Sequence, residues 1–356
     1  MRRAWPQARI DVLVNAAAAP VLVGNADIDE ILVQPEKPRW PTAWRFGRRL
    51  LRRYDLAVCT LYNDRPHLYA LLASGRRAAV VPPETVPGAR WKRWMSSAWC
   101  VLELGHVHAV EAYLALATCL GIERVRELVP PRPADEGELD SLLKPGWRDQ
   151  LHAVVHPTPM YRYKAWTAQG WTLLVQSLLA RGLFVYLTGG RGSDEAATIS
   201  QVLDGLAPAE RERVQALNGS MSFAALTPVI ESAQIFIGPD TSVTHLAAAT
   251  GAPTVALFGP SHPVAWGPWP RGWNSAASPW QMRSALQHQG NVWLLQGELG
   301  CVPCLKEGCE GHLNSRADCL EQLPATRVID VVDQVLGAAT HTRVIPIVAS
   351  PRTGGT

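Results

Sequence analysis

The sequence predicts an α/β protein of two Rossmann-like domains, each a parallel sheet flanked by helices, facing one another across a cleft. Three observations carry this. The chain has 356 residues, too many for one ordinary core and suited to two domains of average size. Apolar runs of strand length alternate with amphipathic stretches of helix length, the pattern of buried parallel strands joined by crossover helices. A stretch at 129–145, with prolines at 130, 131, 133 and 145 and acidic residues around them, separates two such series and reads as a linker.

Taken in order, strands are expected at 10–15, 30–33, 56–60 and 78–81, and then at 153–156, 183–188, 235–237 and 254–258. Helices are expected at 109–120, 167–180, 193–206, 222–231 and 241–250. The domains are therefore placed at 1–145 and 146–340. A tail follows at 341–356, of which 350–356 is expected to fray. No internal repeat is visible.

Composition narrows the function classes. Apolar residues make up 47% and charged residues 18%, with a net charge of only +3, so the chain is neither disordered nor a bulk polycation. The charge is uneven. Residues 1–100 hold 16 Lys and Arg against 8 Asp and Glu, and the other 256 hold 18 against 23. The basic runs lie at 45–53 and 90–94. They fit either a solvated helix face or a surface for an anionic partner, membrane phosphates or an acidic acceptor. No recognition motif accompanies them, so nucleic acid is not an expected partner. No apolar run reaches the roughly 18–20 residues of a membrane span. The start has no signal-peptide pattern, and the reading is cytoplasmic. Seven cysteines, an odd count, fit reduced thiols better than a disulfide framework.

The chemistry concentrates at 235–261. A strand ends at Ile237, Gly238-Pro239 turns, Asp240 or Thr241 caps a helix running to Thr250, and Gly251 stops it. In an open α/β sheet, ligands sit beyond the carboxyl ends of the strands. A helix N-terminus there offers unbonded N–H groups and partial positive charge, which suit a diphosphate. Thr241 and His245 lie four apart and share a face, with Ser242 beside them. Asp240 would avoid phosphates and accept from sugar hydroxyls. Read alone, the segment also fits an ordinary capped helix with a packed histidine. Lys164, in the loop after the strand at 153–156, can neutralise a phosphate or be a plain surface lysine. Thr188-Gly189-Gly190 ends the strand at 183–188 and admits close backbone approach, with Asp194 or Glu195 placed to hold a ribose. It is not a G-x-G-x-x-G dinucleotide fingerprint, which disfavours a nicotinamide-dependent oxidoreductase.

Tyr163-Lys164-Ala165-Trp166, the Thr188–Gly190 turn, the segment 218–222 and above all the long run 238–261 resemble glycosyltransferase family 9, the ADP-heptose:lipopolysaccharide heptosyltransferases. The resemblance spans nearly the whole chain, weakly in the first domain and strongly in the second. It implies a GT-B architecture, an inverting, metal-independent transfer with no cofactor, an ADP-sugar donor and a lipopolysaccharide core acceptor. The acceptor would meet the basic first domain, so that the protein works at the periphery of the inner membrane. It further implies that Lys164 contacts the donor phosphates and Met221 the adenine. Asp194 or Glu195 would bind the ribose. Asp240, Thr241, Ser242 and His245 would cradle the diphosphate and heptose. Ser242 stands where many members have glycine.

One departure matters. Members begin with a strand and a short Gly-Asp loop whose aspartate is the family's catalytic base. Residues 1–11 do not match that pattern, so the first strand of the first domain is expected to be missing and no base is assigned. The alternative readings are a product truncated relative to the family, or a member that binds donor without turnover. A GT-B sugar-nucleotide epimerase is a further alternative, against which the Asp-Thr-Ser-x-x-His pattern argues. Finally, Cys301, Cys304, Cys309 and Cys319 cluster around His312. They could hold zinc tetrahedrally or be free thiols of a loop near the cleft.

Overall fold

A computed structural model of the chain describes residues 1–342 other than 38, 103 and 104, and leaves aside the side chains of 138 and 338–342. Most of the tail, and all of the part expected to fray, therefore lies outside the described residues.

The first domain runs β1 (Asp11–Val14), β2 (Glu30–Val33), α1 (Trp40–Leu50), β3 (Leu56–Cys59), α2 (Asp64–Ala73), β4 (Arg76–Val81), α3 (Ala89–Trp94), β5 (Ala98–Val101) and α4 (Ala109–Cys119). All its strand pairs are parallel, but they form two separate sheets, β1–β2 and β3–β4–β5. No described strand joins the two, and it is at this point that the sequence led us to expect an incomplete sheet. The buried clusters are correspondingly small: Leu32, Leu50 and Ala73 in one, Cys59, Ala70, Ala79 and Val81 in the other.

After α5 (Gly137–Leu142), the second domain runs β6 (His152–Val155), α6 (Ala168–Ala180), β7 (Phe184–Leu187), α7 (Ser193–Asp204), α8 (Pro208–Arg211), β8 (Val214–Ala216), α9 (Phe223–Glu231), β9 (Ile235–Pro239), α10 (Ser242–Thr250), β10 (Thr254–Phe258), α11 (Pro263–Trp266), β11 (Leu286–Gln289), β12 (Val292–Gln296), α12 (Asp318–Glu321) and α13 (Ala325–Thr342). One seven-stranded sheet has the order β11-β12-β10-β9-β6-β7-β8. Its pairs are parallel except β11–β12, which is antiparallel at the edge. Strands β6, β7, β9 and β10 are buried throughout, because helices cover both faces. In α6, Trp171, Leu174, Val175 and Leu178 recur at helical spacing and are fully buried, which explains one of those covers.

The second half of the stretch read as a linker belongs to this core. Leu139 and Leu143, four apart, and Trp147 pack with Val154, Phe184 and Phe236. Proline density marked the segment as irregular, but the apolar spacing decides its place.

The strand order locates the site. From β6 the chain winds one way through β7 and β8, and the other way through β9 and β10. Such a reversal opens a crevice at the carboxyl ends of the two strands that flank it. Here the carboxyl end of β6, Val155, lies opposite Ile237, and β9 runs on to Pro239.

The two domains touch. The His108 side chain takes the amide of Val110 on Nδ1, so its proton sits on Nε2 and is donated to the Gly267 carbonyl at 2.8 Å. Burial, chiefly, pushes this imidazole down to about 4. Arg132 pairs with Glu231.

Candidate functional site

The loop after β6 winds into a 3-10 turn, Arg162–Lys164. It is anchored just beyond by Trp166, which is buried and donates its indole N–H to the Leu323 carbonyl at 2.9 Å. Tyr161 and Tyr163 stack at 5.5 Å. Lys164 is thereby held at the carboxyl end of β6.

The turn after β9 is set by contact. A Cβ at Gly238 would stand 2.8 Å from Thr244 Oγ1, so glycine lets that hydroxyl reach and donate to the Pro239 carbonyl. Thr241 caps α10 through its hydroxyl, which accepts from the Thr244 amide. Gly251, at φ 89°, ends the helix in the left-handed conformation. Both cap expectations hold, with Thr241 rather than Asp240 as the cap. The amides of Ser242 and Val243 stand in the first turn, where no carbonyl four residues back accepts them.

Asp240 is buried at the bottom of this arrangement. Lys164 Nζ lies 2.6 Å from one carboxylate oxygen, and His245 Nε2 faces the other at 3.6 Å. Burial pushes the carboxyl up, yet His245 and the Lys164 ammonium outweigh it and hold the group at about 2. The result is a carboxylate fixed in its charged form, with a lysine and a histidine held beside a helix N-terminus.

These groups open onto a cleft of about 620 Å³. It is lined by Tyr163, Lys164, Asp240, Thr241, Ser242 and His245, by Pro260, Ser261, His262 and Trp266, and by Leu305, Lys306 and Glu307, all from the second domain. The last three were not foreseen. The Leu305 amide donates to the Pro260 carbonyl at 2.9 Å and ties that loop over the site.

The remaining expected residues form a second group at the carboxyl ends of β7 and β8, apart from the lining of this cleft. Thr188 is buried, and its hydroxyl bonds with His156 Nδ1 at 2.9 Å. Gly189 lies against Ile199 and Thr158, and Gly190 against the Glu195 carboxylate. That carboxylate accepts the Gly192 amide at 3.0 Å and so caps its own helix. Asp194 is exposed, and Met221 is half-buried against the core. The turn after β8 is pinned to this group, since the Gly219 amide donates to the Gly189 carbonyl at 2.8 Å.

All seven cysteines are free thiols. Burial, and next the nearby thiols of Cys301, Cys304 and Cys309, push Cys319 up to about 12. Among the described residues no group of His, Cys, Asp or Glu is arranged to hold a metal. No described helix is long and apolar enough to cross a membrane.

Comparison with known proteins places the chain in a family and a fold. A family model described as glycosyltransferase family 9 (heptosyltransferase) matches residues 92–298. Lipopolysaccharide heptosyltransferase 3 of Escherichia coli is 27% identical over 277 residues, covering 76% of this chain and 80% of that protein. Lipopolysaccharide heptosyltransferase 2 of Salmonella typhimurium strain LT2 is 22% identical over 290 residues, covering 74% and 77%. Among solved structures, E. coli ADP-heptose LPS heptosyltransferase II superposes with a TM-score of 0.72 at 19% identity, over 95% of this chain and 92% of that one. E. coli heptosyltransferase WaaC with ADP gives 0.64 at 19% identity, over 94% and 92%.

Proposed function

This chain belongs to glycosyltransferase family 9, the heptosyltransferase family, and has its GT-B fold; we propose that it moves a heptose or related sugar, with inversion, from an ADP-sugar to a lipopolysaccharide core acceptor. The observation that carries this reading is the Lys164–Asp240–His245 cluster at the start of α10. The relatives named as heptosyltransferases support the donor and acceptor classes.

The proposed chemistry is a displacement. A base, to which no residue of this chain is assigned, takes the acceptor hydroxyl's proton as its oxygen attacks the anomeric carbon in line; the new C–O bond forms on the face opposite the leaving group, and the bond to the diphosphate oxygen breaks. Negative charge then grows on the departing ADP. Lys164 and the unbonded amides of α10 stand where they would meet that charge. Asp240 keeps the lysine in place before donor arrives, and its remaining acceptor capacity suits sugar hydroxyls. Lys306, on the loop tied to Pro260, adds a cation at the cleft's edge. We place Thr188, Gly189, Gly190, Asp194 and Met221 around the nucleoside, at the neighbouring strand ends. In this scheme the protein works at the cytoplasmic face of a membrane that holds its acceptor.

A second reading is donor binding without turnover. It is favoured by a specific observation: every residue lining the cleft comes from the second domain, and no first-domain carboxylate is among them to take the acceptor proton. Calorimetry and a transfer assay separate the two readings. ADP and ADP-heptose should bind and UDP-sugars should not. Release of ADP that depends on acceptor establishes transfer, and tight ADP-heptose binding with no release establishes the second reading. Absence of ADP binding overturns both.

A further inference from the structure

Helix α1 carries apolar residues on two faces. Phe46 and Leu50 face inward: Leu50 is buried in a cluster with Leu32, and Phe46 packs edge-on against Tyr69 of α2 at 5.5 Å. Trp40 and Trp44, four residues apart, share a different face. They are 78% and 57% exposed, and their rings stack at 6.2 Å. Leu51, three turns beyond Trp40, continues that face and is also exposed. A Cβ at Gly47 would lie 3.7 Å from Leu72 of α2, so Leu72 borders the same strip. Leu68, one turn earlier on α2, and Leu72 are both exposed.

The rim of this patch is cationic. Arg39, Arg45 and Arg48 are exposed, and among the described residues none has an acidic partner, whereas Arg49 is held by Glu30. Single exposed apolar residues are ordinary, but a contiguous patch with a charged rim marks an interaction surface. Indole rings and arginines together select the occupant. Trp settles at the headgroup level of a bilayer. A helix with basic and aromatic residues lies in that interface. Each nearby Arg adds attraction to an anionic leaflet. A second copy of this chain would set arginines against arginines.

We propose that the Trp40–Trp44 face of α1, with Leu51, Leu68 and Leu72, docks on an anionic phospholipid bilayer. Helix α1 starts beyond the carboxyl end of β2, the side of an α/β sheet on which ligands sit. The purpose of the contact rests on the proposed membrane-held acceptor; the contact itself does not.

The test is co-sedimentation of the full chain with vesicles of phosphatidylcholine alone and of phosphatidylcholine with phosphatidylglycerol, at low and high salt. The protein should bind the anionic vesicles and lose them at high salt. W40A/W44A and, separately, R45E/R48E should each lower the partition coefficient by about tenfold or more. Both variants should keep wild-type calorimetric affinity for ADP, which shows that they fold and separates this proposal from the donor reading. Equal partition of wild type and W40A/W44A overturns it, as does equal binding to neutral vesicles or to none. A lipid-free dimer that W40A/W44A dissolves would assign the patch to a second copy instead.

Discussion

The two domains use the same alternation of strand and helix, and they differ in how completely the strands are covered. In the second, β6, β7, β9 and β10 are buried end to end. In the first, β1 is half-exposed along its whole length and β3 along most of it. A parallel strand gains its stability from cover on both faces. Where cover is complete, the strand ends are fixed points, and groups such as Lys164 and Asp240 can be held in one arrangement. Where it is partial, less apolar area is removed from water, and surface remains for partners. The second domain is thus the more fully covered half, and the basic first domain is the more open one.

The widest test of that contrast is a pair of truncations. Phe236→Ala, at a fully buried site, should cost about 4 kcal/mol, whereas Leu13→Ala in half-exposed β1 should cost about 1. Chemical denaturation followed by domain-resolved hydrogen exchange reads both. Equal costs would remove the distinction between the domains.

A smaller effect sharpens it at the site. Lys164→Ala leaves the buried Asp240 carboxylate with His245 alone and should destabilise the second domain by about 3 kcal/mol. Adding Asp240→Asn to it should restore most of that stability, since the charge left unpaired is then gone. Calorimetric unfolding of the single and double variants decides whether the pair is coupled.

The same carboxylate makes a prediction in pH. Its folded value, about 2, lies below the unfolded value of about 4, so the stability it contributes is fully present above pH ~4 and is lost as pH falls from ~4 toward ~2. Acid titration should show this loss, about 2 kcal/mol, in the wild type and not in Asp240→Asn. At the low end of the scale, Thr241→Ala removes the α10 cap and should cost about 1 kcal/mol while weakening ADP binding more than it weakens the fold.

The same contrast explains what could be read from the sequence. The start and stop of α10 were legible because cap chemistry is local: a threonine three residues before the amide it accepts, and a glycine at positive φ. The buried strands of the second domain were legible as apolar runs. Leu305, Lys306 and Glu307 were not, because their place at the cleft depends on one backbone contact to Pro260, more than forty residues earlier. Helix α5 hid behind prolines, although Leu139 within it and Leu143 and Trp147 just after it carry an apolar spacing. The strands β5 and β8, the edge hairpin β11–β12, and helices α1, α2, α3, α8, α11, α12 and α13 also went unread. The spacing within 40–50 showed its arginines but did not show which face the tryptophans would take. The division of the first domain into two sheets was visible only as a mismatch with the family's opening pattern.

The central claim is that the start of α10 is the diphosphate site. Amide hydrogen exchange with and without ADP tests it directly. The account predicts marked slowing at Ser242, Val243 and Thr244, and weaker slowing at 304–307. ADP that binds yet leaves those α10 amides exchanging as before would contradict it.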